Sequence, residues 1–242
     1  MTSADRRARQ RAQLQERILA AARELFASQG FEAVTLRKIA AAIEYAPAAI
    51  YGHFKDKEEL VRALCLRDCD QLSAQFAKLA SVADPLERIA AAGRTFVSFA
   101  AENPNHFRLL FLQHKRLTED EAIRERKGDP ARDGYAFLRF AVEQAIDQGL
   151  LRRELREPEL VAQTFWAGVQ GVASIEIAFR DDPWVELHPL AARAAAVIDA
   201  LLMGFARPGA WPKTTAPSGS ASSRSVSQRS ARKGKKRAEA RP

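Results

Sequence analysis

Cysteine is nearly absent from this 242-residue chain: Cys65 and Cys69 are too few for a disulfide framework. No apolar run lasts the roughly 18 to 20 residues a membrane-spanning helix requires, and the arginine-rich N-terminal stretch has no apolar export core. The chain is therefore expected in a reducing cytoplasm, with no membrane partner. Strand signals are missing too, since no extended run alternates apolar and polar residues between hairpin dipeptides. There is no phosphate-binding glycine loop, HExxH, nucleophile elbow or zinc-ligand spacing. Neither enzymatic activity nor a cofactor or metal is expected.

What is present is 47% hydrophobic residues, with alanine, leucine, arginine and glutamate recurring at helical spacing. The fold class is all-α. The net charge of +8 sits at the ends: residues 207–242 carry ten basic side chains against one acidic, and residues 1–57 ten against six. The intervening residues 58–206 carry 18 basic against 23 acidic. A polyanion is drawn to the ends and repelled by the middle, which suits a nucleic-acid binder with a second function in its body.

Proline and glycine punctuation divides the chain into helices at about 10–28, 35–43, 47–54, 56–82, 85–102, 104–113, 119–127, 131–148, 158–179 and 187–206. Thr35 and Asp56 are N-caps, Pro47 suits a first helical position, and Gly30 stops the first helix. The expected organisation is a basic flexible arm at 1–11, a three-helix head at 12–57, a larger helical domain at 58–206 and a disordered basic tail at 207–242, rich in Ser, Pro and Gly.

The short helices 35–43 and 47–54, buttressed by the longer first helix, form a helix-turn-helix. The stretch "ILAAARELFASQGFEAVTLRKIAAAIEYAPAAIYGHFKDKEELVRAL", residues 18–64, resembles the N-terminal DNA-binding domain of the TetR family of bacterial transcriptional regulators. The resemblance lies in "A..LF...G" of the first helix, "T...IA" of the second and "YxHFxxKEEL" across the third and fourth. It implies that Tyr51, His53 and Lys57 touch DNA phosphates and that Thr35 does so at the opposite flank. For His53 a second reading stands, a half-buried histidine beside Phe54.

Arg37, in the first turn of the second helix, is the candidate for two-pronged pairing with guanine, because a cation there is otherwise poorly placed. Tyr45, Pro47, Ala48, Ala49 and Gly52 make up the exposed reading face, and Lys38 and Lys55 are further phosphate candidates. Glu44, Ala46 and Gly52 depart from the usual glycine, Ser/Thr cap and large residue, so readout leans on thymine methyls, Arg37, Tyr45 and DNA shape. Gly52 is expected to cost its helix about 1 kcal/mol. Arg6, Arg7, Arg9 and Arg11 either enter a minor groove or form a solvated charge run.

Such heads read two half-sites as dimers. Ala167, Gly171, Ser174 and Ala178 form a small-residue stripe on one helix, and Leu190, Val197, Leu201 and Phe205 add to it from the last; the stripe serves a homodimer or packs within its own subunit. The segments "FAAENPNHFRLLF" and "FWAGVQGVASIEI" are similar to a TetR-subgroup C-terminal domain named for a Trp-His-Gly signature, with Gln170 in the histidine's place. The resemblance implies a small-molecule effector among the middle helices. Phe96, Phe99, Phe107, Phe111, Phe137, Phe140 and Trp166 line that cavity or simply fill the core, with His106, His114 or Gln170 as polar anchors. Cys65 and Cys69, four apart on one helix, are a redox pair or buried small hydrophobes. The expected function is a repressor that binds a palindromic operator in double-stranded DNA and is released by an effector. The alternative is an all-helical small-molecule binding protein with weak or non-specific DNA binding.

Overall fold

Thr2 starts the first helix, α1, which runs Ser3–Gln29: its hydroxyl accepts from the Asp5 amide at 3.2 Å, and the Asp5 carboxylate accepts from the Thr2 amide at 2.8 Å. The helix thus begins about two turns before the predicted residue 10. Residues 3–11, expected as a flexible arm, are helical instead. The capping box explains the difference, because apolar periodicity begins only at Leu14 and residues 3–13 are all exposed. The computed structural model describes residues 2–112 and 121–211, so most of the predicted tail and His114 lie outside the described residues.

Ile18, Leu19, Ala22 and Phe26 of α1 pack on Ile39 and Ala40 of α2 (Leu36–Ala42), Ile50 of α3 (Pro47–Tyr51) and Leu60, Val61 and Leu64 of α4 (Lys57–Ala77). This is the core of the head. The turn between α2 and α3 places Glu44 at φ 60°, the position where the family resemblance leads one to expect glycine. A side chain there costs roughly 1 kcal/mol or more against glycine. Helix α3 stops at Tyr51, three residues short of the prediction, and Gly52 at φ −69° caps it. The expected helix-interior penalty for Gly52 therefore does not arise, since the helix ends at that residue.

Helix α4 leaves the head and enters the body: its N-terminal half buries Leu60, Leu64 and Cys65 in the head core, while Leu72 and Phe76 join the body core. A 3-10 turn, Lys78–Ser81, follows. In the body, α5 (Pro85–Glu102) packs against α8 (Gly134–Asp147), α9 (Pro158–Phe179) and α10 (Leu190–Phe205). Proline at N1 and an Asp84 cap bonded to the Leu86 amide at 2.8 Å fix the start of α5. An isolated β-bridge between Leu151 and Ala206 ties the loop after α8 to the end of α10.

Helix α6 (Pro104–Phe107) widens into a π turn, Arg108–Leu112, and α7 (Glu121–Arg124) follows the undescribed residues. Such turns are uncommon and often sit where a helix must re-aim its side chains. Here Phe107 is buried in the body core, Leu109 in the head core, and Leu110 touches both. Among the described residues no helix is long and apolar enough to cross a membrane.

Candidate nucleic-acid interface and ligand cavity

The residues of the head predicted to meet DNA fall on one stretch, and none is buried. Thr35, Arg37, Tyr45, Pro47, Ala48, Tyr51 and Lys55 are exposed; Ala49, His53 and Lys57 are half-buried. Thr35 caps α2 by accepting from the Lys38 amide at 3.2 Å, which leaves its O–H free to donate. Arg37 makes no ion pair or hydrogen bond among the described residues, so its guanidinium is uncommitted. Lys38 is tied down by Gln29 Oε1 at 3.1 Å and the Ala33 carbonyl at 2.8 Å, which removes it from the set of free phosphate candidates.

Tyr45 holds an internal partner. The Arg17 guanidinium lies 5.1 Å from its ring centroid and donates to the Ile43 carbonyl at 3.2 Å, fixing the ring on the turn before α3. Lys57 is also engaged: its ammonium sits 3.9 Å from the centre of the Phe31 ring and donates to the Phe31 carbonyl at 2.9 Å. Only the remaining N–H groups of that ammonium can reach a phosphate. The α4 N-terminus beside it is ordered by Asp56, which accepts from Glu59 N at 2.7 Å, and by Glu59, which accepts from Lys55 N at 2.6 Å.

His53 carries both of the readings open to it, being half-buried with its ring 6.4 Å from Phe54 and still reaching the surface. Its pKa lies below the ordinary histidine value, first through desolvation and then through the Arg11 charge. Arg11 reaches it because α1 extends to Ser3, and its guanidinium donates to the Gly52 carbonyl at 3.2 Å. Arg11 is thus presented from a helix beside the α3–α4 joint, not from an extended arm.

The body holds a cavity of about 690 Å³ between α4, α5, α8 and α9. Of the residues predicted for it, Phe96, Phe111 and Trp166 line it. Phe107 and Phe137 do not: Phe107 is fully buried against Phe96 and Phe111, and Phe137 stacks on Phe76 at 5.6 Å. Gln170 does not line the cavity either, and its buried Oε1 has no partner among the described residues. Phe99 and His106 pack edge to face at 6.2 Å in the junction below the head, and Phe140 is exposed away from the cavity. Sequence reading missed Leu72, Phe76, Phe165 and Val169 as walls and Arg124, Arg126, Lys127 and Arg132 as a rim. The rim had no periodic signal, because it belongs to the end of the one-turn helix α7 and the turns between α7 and α8.

Cys69 also lines the cavity, and burial pushes its thiol up to about 11; the Cys65 thiol, fully buried, is raised further. Both stay protonated at neutral pH, which favours the reading as small hydrophobes over the redox pair. In the predicted dimer stripe, Ala167 and Ala178 are exposed, Gly171 and Ser174 half-buried. Val197 and Leu201 face inward instead: a Cβ on Gly168 of the same chain would lie 2.6 Å from Leu201 Cδ1 and 3.1 Å from Val197 Cγ1. Those two side chains close the α9–α10 contact within the subunit.

Comparison with known proteins agrees with this division. Residues 18–64 match the family of bacterial regulatory proteins of the tetR type, and residues 89–201 match a tetracyclin repressor-like C-terminal domain. The second match takes in both segments similar to the Trp-His-Gly domain. UidR of Escherichia coli (strain K12), an HTH-type transcriptional regulator, is 38% identical over 60 residues, covering 25% of this chain and 31% of UidR, so the likeness spans about a third of that relative. KstR2 of Mycobacterium tuberculosis, an HTH-type transcriptional repressor, is 29% identical over 166 residues, covering 63% of this chain and 78% of KstR2. The crystal structure of PfmR, a TetR family transcriptional regulator from Thermus thermophilus, superposes with a TM-score of 0.62 at 26% identity over 78% of this chain and 99% of PfmR. With a helix-turn-helix head and a helical body each matched by its own domain model, the chain belongs to the TetR family of bacterial regulatory proteins.

Proposed function

We propose that this protein is a cytoplasmic transcriptional repressor that binds a palindromic operator as a homodimer and lets go when a small molecule fills the body cavity. The observation that carries this reading is the pairing of an uncommitted Arg37 with exposed Tyr51 and Lys55 and half-buried His53 and Lys57 on one edge of the head. Phosphate contacts at Thr35 and at the α3–α4 joint set the register, and Arg37 reads a base. The cavity communicates with that edge through the π turn, since Leu110 and Phe111 line the cavity while Leu109 is buried in the head core. An effector that displaces Leu110 shifts Leu109, and with it the packing of α1 and α4 that orients the edge.

Binding to the promoter region of the protein's own gene and to random duplex, measured across salt, tests the reading. The promoter is expected to bind tighter, and Arg37→Ala to erase about ten- to a hundredfold of that preference. Equal affinity for both duplexes with only a steep salt slope supports the alternative, a small-molecule binding protein with non-specific DNA affinity.

His53 adds a pH signature. The free protein holds it neutral, while a phosphate favours the imidazolium, so operator binding takes up a proton and affinity rises as pH falls from 8 to 6, by about three- to tenfold. His53→Gln is expected to flatten that slope in a titration series. For folding the sign is opposite: with the folded pKa depressed, the contribution of His53 is present above the unfolded value and lost as pH falls through the folded one.

A further inference from the structure

We infer that the cavity takes an anionic amphiphile: an apolar tail seated among the body helices, with a carboxylate or phosphate head held at a cationic rim. The inference rests on the reading of the cavity as the effector site and names the chemistry of its occupant. The inner walls are apolar, supplied by Leu72, Phe76, Phe96, Leu138, Phe165 and Val169 from α4, α5, α8 and α9. A volume of about 690 Å³ is ample for an acyl chain and larger than any single core side chain needs.

The rim is different in kind. Arg124, Arg126, Lys127 and Arg132 border the cavity against one carboxylate, Asp133. That carboxylate is spent: Oδ1 accepts from the Tyr135 and Ala136 amides at 2.9 and 3.3 Å, and Oδ2 from the Gly128 amide at 3.0 Å. Arg126 is neutralised by Asp70, but Arg124, Lys127 and Arg132 are exposed and have no ion pair among the described residues. This excess of positive charge runs against the balance of residues 58–206 as a whole, where acidic side chains outnumber basic ones 23 to 18. Three exposed cations with no ion pair among the described residues thus border a cavity whose walls are mainly hydrocarbon and rings, with the buried Tyr135 hydroxyl, unpartnered among the described residues, as a polar group. A neutral apolar ligand makes no use of such a rim, and a small hydrophilic anion makes no use of the walls.

The experiment is calorimetric titration of the full chain with dodecanoate, lauroyl-coenzyme A, dodecanol and coenzyme A. The better of the two anionic amphiphiles is expected to bind about tenfold or more tightly than dodecanol, with the gap narrowing at high salt. Preference for lauroyl-coenzyme A assigns the head to phosphate, and preference for dodecanoate assigns it to carboxylate. Coenzyme A alone is expected to bind far more weakly than its lauroyl ester. The triple variant Arg124→Gln, Lys127→Gln, Arg132→Gln changes only exposed side chains, and is expected to bring both amphiphiles to within about threefold of dodecanol without weakening dodecanol itself. Dodecanol binding as tightly as the anions, coenzyme A binding as tightly as its ester, or a triple variant that keeps the discrimination would each overturn the inference. The effector reading fails separately: amphiphiles that bind as described yet leave operator affinity unchanged sink that reading and leave this one standing.

Discussion

Arg23→Ala is expected to destabilise the protein by roughly 3–5 kcal/mol, the cost of leaving a buried carboxylate without its partner. The carboxylate is Asp68, fully buried on α4 where the head core gives way to the body core. Arg23 Nη2 of α1 lies 2.5 Å from Asp68 Oδ1, and His106 Nδ1 of α6 lies 3.0 Å from the same oxygen, while Oδ2 has no partner among the described residues. One buried anion therefore ties three helices from both halves of the molecule. Chemical denaturation followed by circular dichroism reads the loss as a lower midpoint. The double variant Arg23→Met, Asp68→Leu, which removes both charges and keeps bulk, is expected to recover most of it. Equal damage in both variants would mean that packing at this junction matters and the charge pair does not.

That junction was not legible in the sequence, and the reason is physical. Arg23, Asp68 and His106 are separated by 45 and 38 positions on three helices; the first two carry no local signal, and His106 reads as a polar anchor of the effector cavity. Local signals fared better where they act alone: Pro85, Pro104 and Pro158 at first helical positions placed the starts of α5, α6 and α9 where they are found. The head was readable because its motif spans residues 18–64 without a gap and specifies helix and turn together. The early start of α1 escaped because a Thr2–Asp5 capping box carries no hydrophobic period. The π turn escaped because widening of a helix by one residue per turn leaves no compositional mark, yet it decides that Leu109 and Phe107 face different cores.

The same limit applied to the face of α9. A stripe of small residues says that something approaches closely, not whether it is a neighbouring helix or a second copy of the chain. Gly168 and Gly171, one turn apart, separate the two cases. Gly168 lies under Leu201 and Val197 of its own subunit, so Gly168→Val overpacks an existing contact and is expected to cost about 1–3 kcal/mol of stability. A Cβ on Gly171 meets nothing within 4 Å; Ile175 and Phe179, four and eight residues on along α9, are exposed apolar side chains, as is Met203 on α10.

In the proposed homodimer this surface is covered, with α9 and α10 of each subunit meeting their symmetry mates. Gly171→Glu is then expected to leave the melting temperature of the isolated subunit close to wild type while weakening dimerisation by about a hundredfold or more, because a carboxylate is buried twice across the two-fold axis. Light scattering after size exclusion, over a dilution series, measures it. Operator affinity is expected to fall with the dimer, since each head alone holds only one half-site. A Gly171→Glu protein that remains a dimer at all concentrations would place the interface elsewhere and reassign the apolar surface around Ile175, Phe179 and Met203.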